Sequence, residues 1–464
     1  MTRTSEERVR TPAGLPAAMS WALGSGTILQ GLNSAILAVA LVSIGNQFGH
    51  GPAMAWVVSA LYLSAAVSSP TGGRLADLYG PRRLYLTGLM ITLLASVLGP
   101  FAPSLEWLVA DRLLLGMGTA LQFPTAMAII RQQAERLDAN PSGALGVIAV
   151  CGQITAAPGP SVGGPIVVLW GWQAIFWVNV PMVANSLFWV LRHVPPDPAR
   201  TRTGLRSTLR ALDPVGLGLF VVTLTLLMLG LLSLEQGGVW GWFAGAVAAG
   251  IVLVTWSVRY PSPFLDVRLL SGNPLLWRTC VRAIVTYVSF YTIFYGLPQW
   301  LEASRGLDPA QAGLLMFPVF GVGALSTLVA SRLGSRVSPR VLLLVGSLAM
   351  VIAGTLAATV VGTDAPIWLL VLVGALCGLP NGFNNLGNQL ILHASVHGEQ
   401  AGVASGLYRT SQYIGAALAA VLAASALTPG RGDGGIAILG CSIAVQGGCL
   451  LLAAVVALVR GRSA

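Results

Sequence analysis

Apolar stretches long enough to cross a bilayer recur along almost the whole chain, and this recurrence leaves few folds open. A helix needs about 20 apolar residues to span the hydrocarbon core. Fourteen such runs can be counted, at 19–45, 54–74, 84–103, 105–130, 142–168, 173–191, 214–234, 240–258, 277–301, 311–331, 340–361, 366–391, 401–427 and 435–459. In hydrocarbon each backbone N–H and C=O must be satisfied without water, so such runs are helices. The expected fold is therefore an all-α integral membrane protein of fourteen spans. Only 9% of the residues are charged, whereas soluble domains carry about 25%. The 56 glycines suit helices that approach closely in lipid.

All 26 basic residues are arginines, and most of them lie between the apolar runs. With fourteen spans both termini share one face. That face receives the tail and loop arginines from Arg3 to Arg462, while the opposite loops hold Arg305 and Arg431. The asymmetry places both termini in the cytoplasm. A net charge of +10 spread in this way forms no basic stripe, so nucleic acid is excluded as a partner. Cys151, Cys280, Cys377, Cys441 and Cys449 lie in apolar runs without ligand spacing and read as free thiols. The four histidines, at 50, 193, 393 and 397, suggest no metal site. No phosphate-binding loop, nucleophile elbow or dinucleotide fingerprint is present, so an enzyme is not expected and no cofactor is implied.

The polar intervals divide the chain. Residues 1–18 read as an uncleaved cytoplasmic tail and 19–191 as an N-terminal six-helix bundle. Residues 192–213, with Pro195, Pro196, Pro198 and five arginines, read as a basic linker. Two further helices and a basic loop fill 214–275, a second six-helix bundle fills 276–460, and 461–464 form a tail. Arg332-Leu-Gly-Ser-Arg336-Val-Ser-Pro-Arg340 weakly echoes the loop near residue 80, as an internal repeat would. In such repeats the substrate site falls between the halves near mid-membrane.

Four constellations bear on function. The loop Gly73-Arg-Leu-Ala-Asp77-Leu-Tyr-Gly80-Pro-Arg82-Arg83 joins two spans. Gly73 is expected to admit a close backbone, Gly80-Pro81 to force the turn, and Asp77 to cap a neighbouring helix. In the fifth run, Gly152, Gln153, Pro158, Gly159, Pro160, Gly163, Gly164 and Pro165 would give a smooth, kinked packing surface. Asp111-Arg112 followed by Gly116 and Gly118 puts an arginine in a span, where it must face a cavity or a partner. Finally, polar and aromatic side chains recur at helical spacing. Asn381, Asn384, Asn385 and Asn388 share a face of one span, and Tyr287, Tyr291 and Tyr295 a stripe of another. Gln30, Asn33, Gln122, Gln153, Arg409 and Gln412 add polar points. A cavity of aromatics and amides without a deep carboxylate would favour neutral or anionic amphiphiles over dications.

The loop at 73–83 resembles, at every position, the motif after the second helix of the major facilitator superfamily. The Gly/Pro pattern of the fifth span is similar to the antiporter motif of its exporter branches. Trp172-Gln-Ala-Ile-Phe176-Trp-Val-Asn179-Val-Pro181 looks like the next-helix signature, with Gln173 in place of an arginine. The resemblance extends to the fourteen-span drug:proton antiporter branch. It implies two bundles rocking about a central site, with Asp77 in a cytoplasmic gate and Asp111 and Arg112 in coupling. It further implies a monomer in a bacterial inner membrane, exporting a small-molecule substrate against protons amid membrane lipids, with the proton gradient as its energy source. The branch commonly has an aspartate in its first helix where this chain has Asn33, which cannot titrate. Coupling to another ion or cargo, such as a lipid or metabolite, and a non-transporting sensor of the same fold are the alternatives.

Overall fold

Loop chemistry sets where the helices begin. The structure, a computed structural model, describes residues 15–51, 53–154, 158–198, 204–234, 240–334, 336–396 and 400–460. The first described helices are α1 (Ala17–Ala38) and α2 (Leu41–Phe48), which cover the run expected as one span at 19–45 and are bent by 60°. At the break the Ala40 N–H bonds to Leu37 O, a tightened three-residue turn that the sequence does not announce with proline. Next come α3 (Met54–Tyr79) and α4 (Pro81–Leu98). They are joined at Gly80, whose φ of +101° favours glycine, and Pro81 starts α4 where its missing N–H costs nothing. Ser104 Oγ accepts from Trp107 N (3.3 Å) to start α5 (Leu105–Ala120), which runs almost directly into α6 (Gln122–Leu137). Then follow α7 (Ser142–Ile154), α8 (Pro158–Trp170), the short α9 (Ala174–Trp177) and α10 (Asn179–His193).

The interval read as a linker contains a short helix, α11 (Leu205–Leu212), before α12 (Pro214–Leu232) and α13 (Trp240–Arg259). Another, α14 (Val267–Gly272), lies in the basic loop that follows. Asn273 Oδ1 accepts from Leu276 N (3.0 Å) and opens α15 (Pro274–Arg305). An Asp308–Gln311 capping box opens α16 (Pro309–Leu315). The rest are α17 (Phe317–Gly334), α18 (Pro339–Thr359), α19 (Ile367–Ser395), α20 (Gln400–Ala426) and α21 (Asp433–Arg460).

Eleven described helical segments are long and apolar enough to cross a membrane, and the bent α1–α2 pair makes a twelfth. The protein is thus an all-helical, multi-pass membrane protein. Helices α1–α10 pack among themselves, with α1 against α7, α8 and α10, and α3 against α5. Helices α15–α21 do likewise, with α18 between α19 and α21, and α15 on α20. The two sets meet chiefly along α3–α20 and α8–α16. Helices α12 and α13 pair with each other, and α12 touches α3 and α20. Their outer surfaces, including Val222, Val247 and Ile251, are exposed, as lipid-facing residues would be.

Candidate functional site

The 73–83 loop is assembled from outside its own sequence. The Asp197 carboxylate reaches from the linker to accept from the backbone N–H groups of Arg82 (3.1 Å) and Arg83 (2.9 Å). It therefore caps the positive end of α4. A side chain at Gly80 would strike that carboxylate. Arg74 donates to the carbonyls of Ala211 (2.9 Å), Ser262 (3.4 Å) and Pro263 (2.6 Å), tying α3 to the ends of the extra pair. One expectation shifts here. Beside Gly73 there is open space, and the close neighbour, Leu121, belongs to Gly72. Asp77 lies on the last turn of α3, and α4 has its own cap in Asp197.

The extra pair has its own anchor. Asp213 is fully buried and accepts from Gly216 N (3.0 Å), Trp256 Nε1 (2.8 Å) and Phe264 N (2.8 Å). Three donors satisfy a carboxylate that burial would otherwise penalise.

Between the halves, five hydrogen bonds cross among the described residues, each donated by a hydroxyl. Ser59 Oγ bonds Ala417 O (3.1 Å), Thr410 Oγ1 bonds Ala66 O (3.3 Å), and Ser161 Oγ bonds Gly313 O (3.1 Å). The hydroxyls of Tyr62 and Tyr295 share a 2.8 Å bond, and Tyr413 OH bonds Gln30 Oε1 (2.9 Å). Around them Tyr62, Tyr287, Tyr291, Tyr295 and Tyr413 form one aromatic cluster. Tyr291 stacks on Tyr295 at 5.8 Å, and Tyr62 meets Tyr291 edge-on at 5.1 Å. Arg409 sends Nε to Tyr413 OH (3.1 Å) and lies over the Phe123 ring at 4.3 Å, a cation–π contact between halves. Tyr287, Tyr291 and Arg409 remain half-buried although they lie well inside their helices.

Other candidates fall elsewhere. Asn33 forms a reciprocal amide pair with Asn179 (2.9 and 2.8 Å) inside the first half. Gln122 is fully buried, with its Nε2 near the carbonyls of Gly118 (3.3 Å) and Tyr85 (3.5 Å). Asn384 packs against α18, bonding Met350 Sδ (3.3 Å), so it faces that helix and not the seam between halves. Asn388 Oδ1 accepts from Arg282 Nε (2.9 Å), and Gln412 is buried. The side chains around Gly152 and Gln153 lie outside the described residues. Asp111 and Arg112 are 5% and 1% exposed. Both Asp111 oxygens, and Arg112 Nε and Nη2, have no hydrogen-bond partner among the described residues. Arg112 lies 5.7 Å from the centroid of the Phe176 ring and within electrostatic reach of Tyr62 and Tyr295.

The glycines of α8 divide their contacts. A Cβ on Gly159 would meet Ala35, and one on Gly163 would meet Ile36, both on α1 of the same half. A Cβ on Gly164 would run into Pro309 O of the other half, and one on Gly313 into Pro160 O. The halves thus touch backbone to backbone at the arginine-poor face.

Two helical halves in a membrane, meeting over a polar and aromatic seam, define a transport protein and not an enzyme. Residues 23–420 match the model of the Major Facilitator Superfamily, and the chain belongs to that family. It is 29% identical over 443 residues to the MFS-type transporter YwoD of Bacillus subtilis, covering 94% of this chain and 95% of that one. It is 30% identical to the multidrug resistance protein Stp of Mycobacterium tuberculosis, covering 87% and 75%. To the methylenomycin A resistance protein of Streptomyces coelicolor it is 25% identical, covering 85% and 82%. Among solved structures, a proton-dependent oligopeptide transporter superposes with a TM-score of 0.66 at 16% identity, covering 96% and 98% of the two chains. The nucleoside transporter NupG gives 0.64 at 14%, covering 94% and 99%. These superpositions show the shared fold.

Proposed function

We propose that the protein is a fourteen-span, monomeric exporter of small organic or amphiphilic compounds, driven by proton antiport in a bacterial plasma membrane with both termini cytoplasmic. To the twelve apolar spans this reading adds α20, whose 27 residues include Arg409 and Gln412. It also joins α7 and α8, 13 residues each, as one span. The observation that carries export is the seam itself: partly accessible Arg409, Tyr287 and Tyr291 between halves held by single hydroxyl bonds. Resistance proteins among the relatives support an outward direction. Opening toward the arginine-rich face while α8 and α16 are closed, then reversing, gives alternating access.

Asp111 and Arg112 are the coupling pair in this scheme. A buried carboxylate without hydrogen-bond partners is poised to exchange a proton, and the adjacent guanidinium favours its release. Asn33 is engaged by Asn179 and leaves the proton to them. Asp77, at the arginine-rich gate, latches the halves when the cavity faces outward. In proteoliposomes with an imposed pH gradient, and in a drug-susceptibility panel in an efflux-deficient host, the protein is expected to confer gradient-dependent extrusion. Asp77→Asn is expected to lower it strongly without loss of membrane insertion. Absence of flux for every compound class would overturn the reading in favour of a sensor or scaffold. Flux indifferent to the pH gradient would leave export in place and replace its coupling.

A further inference from the structure

Around Arg409 donors are left without acceptors among the described residues, and the imbalance names a ligand chemistry. Arg409 uses Nε on Tyr413 OH, while its terminal nitrogens make no hydrogen bond to a described residue. Tyr413, having accepted from Arg409, donates to Gln30 Oε1, and Gln30 Nε2 is left buried without an acceptor among the described residues. A similar arrangement recurs between α15 and α19. Arg282 Nε donates to Asn388 Oδ1 at 2.9 Å. Arginine cannot accept, so the orientation of the amide is fixed, and Asn388 Nδ2 is also buried without an acceptor among the described residues. The groups facing Arg409 electrostatically are Tyr413, Tyr287 and Tyr291, with no carboxylate among them. A deep cation lacking a counter-charge is costly, and a bound anion would supply what the protein withholds. The half-buried rings of Tyr287 and Tyr291, with centroids 6.1 Å apart, offer flat walls beside it.

We propose that this site takes a planar aromatic monoanion, its carboxylate or sulfonate on Arg409 and Gln30 Nε2, its ring against Tyr287 and Tyr291. The proposal deepens the export reading and rests on it for the role of the site. Arg282 and Asn388 provide a second donor pair on the approach from the arginine-rich face.

The test compares three probes of one shape on the purified full-length protein by titration calorimetry: 2-naphthoate, neutral 2-naphthamide and cationic 2-(aminomethyl)naphthalene. Naphthoate is expected to bind at least about tenfold more tightly than naphthamide, the scale of one charge-assisted hydrogen bond, and the cation more weakly than both. Arg409→Gln is expected to abolish the difference by weakening naphthoate alone. Should that variant fail to fold, Arg409→Lys keeps a charge but loses the flat fork. It is expected to weaken naphthoate severalfold and leave naphthamide unchanged. Equal binding of naphthoate and naphthamide, tighter binding of the cation, or a preference that survives Arg409→Gln overturns the proposal. Binding decides the ligand class and vesicle flux decides export. Naphthoate held through Arg409 but never moved would therefore sustain the proposal and defeat the export reading.

Discussion

Replacing Gly164 with alanine separates conformational from structural roles within one glycine-rich helix. The added methyl would collide with Pro309 O on the other half, a backbone atom that cannot rotate away. Overpacking of this kind costs about 1–3 kcal/mol. In the proposed cycle the contact exists only while α8 and α16 are closed, so the cost falls on that state. The closed population should drop roughly 5- to 150-fold relative to the open one. Gly159→Ala adds the same methyl against Ala35 of the same half. That contact persists in both states, so it should lower thermal stability without moving the equilibrium. The assay is maleimide labelling at Ser161→Cys, whose native hydroxyl bonds Gly313 O across the seam. The background should carry serine at Cys441 and Cys449, which are exposed on α21. Labelling from the arginine-poor face should accelerate with Gly164→Ala and stay unchanged with Gly159→Ala. Equal labelling in both variants, with unchanged flux, would refute the idea that α8 and α16 part during the cycle.

Three other outcomes are expected. Asp213→Ala leaves three donors buried near α12 and α13 without an acceptor, costing about 3 kcal/mol or more. Faster limited proteolysis near residues 204–213 and a lower unfolding temperature should report it. Asp197→Ala removes the cap from α4 at about 1 kcal/mol, and Gly80→Ala should cost more, because it displaces the same carboxylate and also strains a backbone held at φ +101°. Melting curves showing either variant unaffected would deny the cap. Asp111→Asn should abolish the pH-gradient dependence of flux while ligand affinity, read by calorimetry, is retained. A retained gradient response would release Asp111 from coupling.

The membrane class and most helix positions were legible because bilayer thickness imposes a length that any apolar run must meet. The bend after α1 was not, since it arises from a local turn between alanine and valine without proline or glycine. Arg409, Tyr287 and Tyr291 were legible as polar or aromatic residues in apolar runs, and the fold brings them together. Tyr62 and Tyr413 were missed because one tyrosine in a span looks like packing until its partner, hundreds of residues away, is placed beside it. Asp197 and Asp213 were hidden within an interval that looked like a basic linker. Their role depends on which N–H groups the fold delivers to them. Asn384 was misleading for a simple reason: an amide-rich helix face covers more than one direction, and its arc also points at α18.

The cross-seam hydroxyls have a mechanical consequence. A hydroxyl can trade a carbonyl for a water molecule at almost no loss, so each strut between the halves dissolves as soon as solvent reaches it. The paired amides of Asn33 and Asn179, which hold two bonds at once, keep their own half stiff. Wetting, more than force, would then set the pace at which the two bodies come apart.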